Sequence, residues 1–207
     1  MTAFDLFTIG HSNNPAERFV DLLRGADVSV VADVRSTPAS RFCPWFSATN
    51  LAPRLQQQGM DYQAFGDSLG GRPRDPALYS GGVADYEAMA ERPAFRAGLD
   101  RLLQVAAGRR VCLMCSEREP LDCHRCLLVT RALAERGLSI GHILQDGTIE
   151  SQPDTEARLL ALGGTEDDLF APGHAEALAA AYRRRAAAVA YRTPRRKAAA
   201  SPAQRRR

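Results

Sequence analysis

The chain has 207 residues, of which 45% are hydrophobic and 25% are charged, a composition typical of a globular protein. Its length suits one domain of roughly 150 residues plus an appendage. No stretch approaches the roughly 20 apolar residues of a membrane span, and the amino terminus lacks a signal-peptide pattern, so we expect neither membrane insertion nor secretion. Five cysteines, an odd number without a disulfide framework, favour a reducing cytoplasm.

The net charge of +3 hides an asymmetry along the chain. Residues 183–207 hold nine arginines and one lysine but no acidic residue, which leaves 17 basic residues against 24 acidic ones in the rest. This Arg-rich tail has two interpretations. It is either a solvated end of biased composition, or a weak, salt-sensitive contact with nucleic acid.

The first half of the chain alternates predicted strands and helices. An apolar strand at residues 4–9 precedes a helix that begins after Asn14, with Pro15 in its first turn. Residues 28–34 are β-branched and apolar, as expected of a strand buried on both faces. A helix is predicted from Ser47 to Gln58, followed by a weaker strand at residues 60–65.

In the second half, a glycine-rich loop at residues 66–85 precedes a helical stretch broken near Pro93. The remaining predicted elements are a strand at 111–115, a helix at 123–136, a strand at 140–144 and helices at 155–162 and 176–191. This order implies an α/β fold with a mostly parallel sheet and helices on both faces. We expect an α/β domain at residues 1–150, a helical extension at 151–192 and a disordered Arg-rich tail at 193–207.

Polar and reactive side chains follow several of these strands. In a parallel sheet the carboxyl ends of all strands lie on one edge, where open α/β sheets bind their ligands. We therefore expect the following residues to lie at that edge: His11 and Asn13 after the first strand, Asp33 and Arg35 at the second, and Cys115, Glu117, Cys123, His124 and Arg125 around the fourth.

The segment from Cys115 to Arg125 carries the most reactive groups. At a helix amino end, beside His124 and Arg125, the thiolate of Cys123 would be stabilised, so this residue is either a nucleophile or a small packing residue. Glu117 is either a general acid or base or a solvated turn residue. Cys115 ends a strand, and a one-residue shift in register decides whether it faces the site or the core.

The other candidates also have two interpretations each. Asp33 and Arg35 form either an exposed ion pair or ligand-facing groups, and we favour the second. Arg125 either binds a phosphate or carboxylate group of a ligand or forms an interdomain salt bridge. The backbone at Gly70 and Gly71 either approaches a ligand closely or forms a plain turn.

A metal site is a further alternative. Two Cys-x2-Cys pairs, at 112–115 and 123–126, superficially resemble a zinc ribbon, but the first pair lies on a strand where positions i and i+3 face opposite sides. A four-thiolate site is therefore disfavoured. We predict no cofactor; if zinc binds, its ligands are Cys115, Cys123 and His124.

These segments together resemble the family called domain of unknown function 488. The matching pieces are TIGHSN at 8–13, DVR-x-x-P-x-S-R at 33–41, LGG at 69–71, a tyrosine and a phenylalanine at Tyr86 and Phe95, C-x-E-x5-C-H-R at 115–125 and GHI at 141–143. The resemblance covers about residues 4–150. It implies a Rossmann-like, three-layer α/β domain with the signature residues grouped at one edge, and it adds Arg41 to the candidates.

We expect a cytoplasmic enzyme that acts on a phosphate-bearing small molecule or nucleotide, with a thiol-dependent transferase or hydrolase favoured. The predicted catalytic residues are Cys115, Glu117, Cys123 and His124. The predicted ligand-binding or anion-binding residues are His11, Asn13, Asp33, Arg35, Arg41, Gly70, Gly71 and Arg125. The alternative is a non-catalytic module that binds nucleic acid or a metal through the same cluster and the Arg-rich tail.

Overall fold

A computed structural model of the protein describes residues 4–163 and 173–194. Its centre is a six-stranded sheet of order β3-β2-β6-β1-β7-β8, in which β8 alone is antiparallel to its neighbour. The strands of this sheet are β1 (Leu6–Gly10), β2 (Val30–Asp33), β3 (Asp61–Ala64), β6 (Val111–Cys115), β7 (Ile140–Ile143) and β8 (Ile149–Ser151). Two short strands, β4 (Tyr79–Ser80) and β5 (Val83–Ala84), form a separate hairpin. The predicted α/β fold is confirmed.

Helices connect the strands along the chain. The α-helices are α1 (Ala16–Gly25), α2 (Ala48–Gln57), α3 (Gly66–Leu69), α4 (Tyr86–Ala90), α5 (Pro93–Ala106), α6 (Arg131–Ala134), α7 (Gln152–Ala161) and α8 (His174–Val189). Short 3-10 turns occur at Pro44–Phe46, Pro76–Leu78 and Pro120–Asp122. A π-helix at Arg125–Thr130 leads directly into α6.

The sheet is covered by helices on both faces. Along β6, Val111, Leu113 and Cys115 pack in one core cluster, with residues from α4 to α8. Cys112 and Met114 pack in the other cluster, with residues of α1 and α2. This alternation is the period of two that a strand imposes on its side chains. Because both faces are covered, the central strands are apolar runs, as the sequence predicts.

The structure also contains elements that the sequence pattern does not predict. The loop predicted at residues 66–85 holds α3 and the β4–β5 hairpin, while the helix predicted at 123–136 begins as the π-helix. Strand β8 was not predicted. It turns the chain back along β7 and into α7.

A buried polar network ties β7 to α7. His142 is fully buried, and its Nε2 donates a hydrogen bond to the side-chain carbonyl of Gln152 at 2.9 Å. Its Nδ1 then accepts from the Thr8 hydroxyl at 2.8 Å. Burial lowers the pKa of His142 to about 4, so the ring is neutral near pH 7.

The carboxyl-terminal helices pack on the same core as the strands. Leu159 of α7 and Tyr182 of α8 belong to the cluster that also contains β6 side chains. After α8 the chain runs beside β5, where the Ala84 N–H donates to the Tyr191 carbonyl and the Thr193 N–H donates to the Gly82 carbonyl. The predicted tail from residue 195 onward lies outside the described residues. No helix in the described ranges is long and apolar enough to cross a bilayer.

Candidate functional site

The candidate site is a cavity at the carboxyl ends of β2 and β6. Cys115 is the last residue of β6, and the 3-10 turn that follows returns the chain to Cys123 at the start of the next helix. The cavity has a volume of about 340 Å³, which is within the range of small-molecule sites. Its lining includes Arg35, Ser36, Thr37, Gly71, Arg72, Tyr86, Cys115, Glu117, Asp122, His124, Val189 and Tyr191.

The predicted catalytic residues converge on one cluster. Oε2 of Glu117 accepts a hydrogen bond from Sγ of Cys115 at 3.0 Å and lies 3.1 Å from Sγ of Cys123. Nδ1 of His124 lies 3.7 Å from the first sulfur and 3.9 Å from the second. Cys115, Glu117 and His124 line the cavity, whereas Cys123 lies beneath them.

The orientation of His124 follows from its second nitrogen. Nε2 lies 2.9 Å from the carbonyl oxygen of Val34. A carbonyl only accepts hydrogen bonds, so Nε2 carries a hydrogen and Nδ1 is the nitrogen that faces the sulfurs. On the other side, a Cβ atom on Gly71 would lie 2.6 Å from Cγ of His124. The backbone of Gly71 therefore lies so close to the imidazole that a residue with a side chain would not fit there.

The pKa values of the two cysteines are shifted in opposite directions. Burial alone would raise the pKa of Cys123, but the hydrogen bond with Cys115, the charge of Arg125 and the hydrogen bond with His124 lower it well below its ordinary value. Burial, reinforced by the neighbouring Cys123 thiolate, raises the pKa of Cys115. The arrangement therefore favours a thiolate at Cys123 and an S–H group at Cys115.

The same thiolate influences the carboxyl and the imidazole beside it. Burial and the charge of Cys123 raise the pKa of Glu117. Burial lowers the pKa of His124, but the hydrogen bond and the charge of Cys123 outweigh this effect and raise it. Both groups therefore hold a proton at higher pH than they would in water, as proton-transferring groups of active sites often do.

Arg125 lies behind the cluster and does not line the cavity. The residue is fully buried, and its guanidinium donates to the carbonyl oxygens of Glu117 at 2.6 Å and Arg118 at 3.0 Å. Its backbone N–H points at Sγ of Cys123, at 3.4 Å. Arg125 thus holds the loop that carries Glu117, and its guanidinium forms no salt bridge with any residue of 4–163 or 173–194.

A buried salt bridge and its hydrogen-bonding partners lie at the end of β2, beside the cluster. Asp33 and Arg35 form a salt bridge of 2.6 Å, and both side chains are almost fully buried. The alternative of an exposed ion pair is therefore wrong. The Tyr62 hydroxyl also donates to Asp33, while Nε2 of His11 lies 3.2 Å from the guanidinium of Arg35. Burial, aided by the charge of Arg35, lowers the pKa of His11 to about 4.

The remaining candidates differ in their relation to the cavity. Gly71 lines it, whereas Gly70 packs against the Ser36 hydroxyl, with no room for a Cβ atom. Asn13 and Arg41 are exposed and do not line the cavity. The structure therefore gives no support to a ligand contact from these two residues.

Several residues of the cavity wall were not predicted from the sequence, among them Arg72, Val189 and Tyr191. Arg72 follows the Gly70-Gly71 pair, and its guanidinium lies 4.8 Å from the centre of the Tyr191 ring. Its position directly after these glycines was a usable signal. Val189 and Tyr191 belong to the carboxyl-terminal extension, beyond the predicted family signature, and no sequence pattern marks them as site residues.

Three side chains of the cluster are able to hold a metal ion. Sγ of Cys115, Sγ of Cys123 and Nδ1 of His124 lie within 4.8 Å of one another, and all three residues are buried. The other cysteines of the two Cys-x2-Cys pairs are placed differently. Cys112 packs in the opposite core cluster. Cys126 is fully buried, and this burial raises the pKa of its thiol to about 12.

Comparison with known proteins identifies the family but not an activity. The family model described as "Domain of unknown function DUF488" matches residues 15–132, which is more than half of the chain. The comparisons with curated proteins and with solved structures gave no match. The matched region includes the end of β2, the Gly70-Gly71 pair and the whole segment from Cys115 to Arg125. The chain belongs to the DUF488 family.

Proposed function

We propose that this protein is an enzyme that acts on a phosphate-bearing small molecule, with Cys115, Glu117, Cys123 and His124 as its reaction centre. One observation carries the proposal. A thiol that contacts both a carboxyl group and an imidazole lines a cavity together with them, and the same lining holds an arginine that has no carboxylate partner among the described residues. Perturbed titratable groups in a cleft are the physical mark of a reaction centre.

Glu117 is the proposed proton-transferring residue. Its side chain lines the cavity, and its raised pKa lets it donate a proton nearer to neutral pH than an ordinary carboxyl group does. Cys115 supplies the sulfur atom that lines the cavity and so lies nearest to a bound molecule. Cys123, which lies 3.1 Å from the same carboxyl oxygen, and His124, whose Nδ1 faces both sulfurs, complete the centre.

Arg72 is the proposed anion-binding residue. Arg35 also lines the cavity, but the buried carboxylate of Asp33 already neutralises its charge. Within the described ranges, Arg72 has no carboxylate partner and stacks only on Tyr191. An arginine in this state binds phosphate with two parallel hydrogen bonds. The rings of Tyr86 and Tyr191 in the same lining favour a nucleotide, whose base they would contact.

The alternative of a nucleic-acid-binding module has less support. In the described part of the arginine-rich segment 183–207, Arg183 pairs with Glu87 and Arg185 pairs with Asp122. These pairs reduce the positive charge available to a phosphate backbone. The expected cytoplasmic location remains part of the proposal, and the five unpaired cysteines support it.

The proposal is tested by incubating the purified protein with pools of phosphorylated metabolites and nucleotides and following their conversion by mass spectrometry. We expect Glu117→Gln to lower kcat for the substrate so found by about 100-fold or more. Arg72→Gln should raise KM about tenfold, whereas Arg74→Gln, a neighbouring arginine outside this cavity, should change neither constant. A folded Glu117→Gln variant with normal turnover would contradict the proposal.

A further inference from the structure

We propose that Cys115, Cys123 and His124 bind one zinc ion through their two Sγ atoms and Nδ1, with the fourth coordination position directed toward the cavity. The inference rests on the proposed function in placing the reaction at this cluster. It assigns the two thiols as metal ligands and leaves Glu117 as the proton-transferring group. It is carried by the spacing of the three ligand atoms, by the contacts that hold them and by their position in the cavity wall.

The spacing of the ligand atoms fits a tetrahedral zinc site. With Zn–S bonds of about 2.3 Å and Zn–N bonds of about 2.0–2.1 Å, sulfur and nitrogen ligands lie about 3.6 Å apart. The two S–N distances in the cluster are 3.7 and 3.9 Å, to Cys115 and Cys123 respectively. A zinc ion therefore fits after side-chain movements of a few tenths of an ångström.

The contacts around the three ligands resemble those that hold metal ligands in known sites. A metal-binding histidine usually donates its second N–H to a carbonyl or a carboxylate, which fixes the ring orientation. In this protein His124 makes that bond to the Val34 carbonyl at 2.9 Å. The backbone N–H of Arg125 points at Sγ of Cys123, and such a bond stabilises a thiolate ligand.

The position of the cluster favours an open, catalytic type of site. Cys115 and His124 line the cavity, so an ion bound between them has one side toward bound molecules. Catalytic zinc sites have three protein ligands and leave the fourth position to water or substrate. Glu117 lies on this side, as the general acid or base does beside the His/Cys/Cys zinc of nucleobase deaminases. Two sulfur ligands and one imidazole favour zinc over magnesium or calcium.

The test is a metal titration of the reduced, full-length protein after removal of metals by a chelator. We expect one Zn²⁺ per chain in competition with a chromophoric chelator, and an affinity more than about 100-fold lower for Cys115→Ser and Cys123→Ser. Cys112→Ser is the matched control, because this cysteine lies on the same strand but faces the opposite core. It should bind zinc like the unmodified protein.

A second readout needs no variant. Co²⁺ added to the metal-free, unmodified protein should give thiolate-to-cobalt charge-transfer bands and the absorption of a tetrahedral site. Failure of the unmodified protein to bind stoichiometric Zn²⁺ or Co²⁺, or equal loss of zinc in Cys112→Ser, overturns the inference. Glu117→Gln separates the two proposals. If this variant retains zinc but converts substrate at the normal rate, the proposed function fails and the zinc site stands. If the unmodified protein binds no zinc but Glu117→Gln loses turnover, the zinc site fails and the proposed function stands.

Discussion

The close packing of Gly71 against His124 predicts that Gly71→Ala disrupts the centre. A Cβ atom at this position would lie 2.6 Å from Cγ, 2.8 Å from Cβ and 2.8 Å from Nδ1 of His124. Ordinary contacts begin at 3.4 Å, so the shortest of these distances must lengthen by about 0.8 Å. The ring has little freedom to move away, because its Nε2 is bonded to the Val34 carbonyl on β2's side of the cavity.

The expected cost follows from overpacking. Forcing an extra carbon atom into a well-packed site costs about 1–3 kcal/mol. At about 2 kcal/mol, a chain of this size loses about 4–8 °C in Tm. The displaced imidazole also moves relative to the two sulfurs, so the Zn²⁺ affinity of the variant should fall together with its stability.

The assay is urea unfolding of both variants of a matched pair. Gly25→Ala is the control, because a Cβ atom at the exposed end of α1 meets nothing within 4 Å. Alanine is the better helix former, so this substitution should be neutral or stabilising by up to about 1 kcal/mol. The reasoning is refuted if Gly71→Ala is as stable as Gly25→Ala.

Three further predictions concern the surroundings of the centre. Asp33→Asn leaves the guanidinium of Arg35 buried without its counter-charge, so we expect a loss of about 3–5 kcal/mol in urea unfolding; a loss below 1 kcal/mol would contradict the buried pair. Arg125→Met removes two charged hydrogen bonds to buried loop carbonyls and should cost about 3 kcal/mol and lower turnover through Glu117, whereas unchanged turnover would exclude this positioning role. The pKa of His142 is about 4 in the folded chain and 6.5 in the unfolded one, so only the unfolded chain gains its proton between these values. Stability should therefore fall by about 3 kcal/mol as the pH drops from 6.5 to 4, and His142→Gln should reduce that slope; an unchanged slope would contradict the assignment.

Much of the fold was predictable because it follows from short-range patterns. The segments that form β1, β2 and β6 are mostly apolar runs, and segments with the 3.6-residue apolar period of a helix lie between the strands. Cys115, Glu117, Cys123 and His124 lie within ten residues of one another after the end of β6, so their proximity was predictable from the local sequence. No long-range information was needed for this step.

The remainder depends on contacts that no local pattern encodes. Arg125 was expected in the site, but its long side chain reaches the carbonyl oxygens of Glu117 and Arg118 because of the path taken by the intervening loop. Tyr191 reaches the cavity wall because the chain after α8 runs beside the β4–β5 hairpin, more than 100 residues earlier in the sequence. The buried pair of Asp33 and Arg35 is hydrogen-bonded to the Tyr62 hydroxyl and to the Phe46 carbonyl, which come from other segments of the chain.

The orientation of His124 is the sharpest measure of whether two thiols and an imidazole converge on one centre. Long-range ¹H–¹⁵N NMR of the metal-free protein, with the ring assigned through a His124→Gln variant, identifies which nitrogen carries the hydrogen. We expect a hydrogen on Nε2 and a Nδ1 signal that shifts in Cys123→Ser but not in Cys112→Ser. A neutral ring with its hydrogen on Nδ1 alone, insensitive to Cys123→Ser, would contradict this convergence.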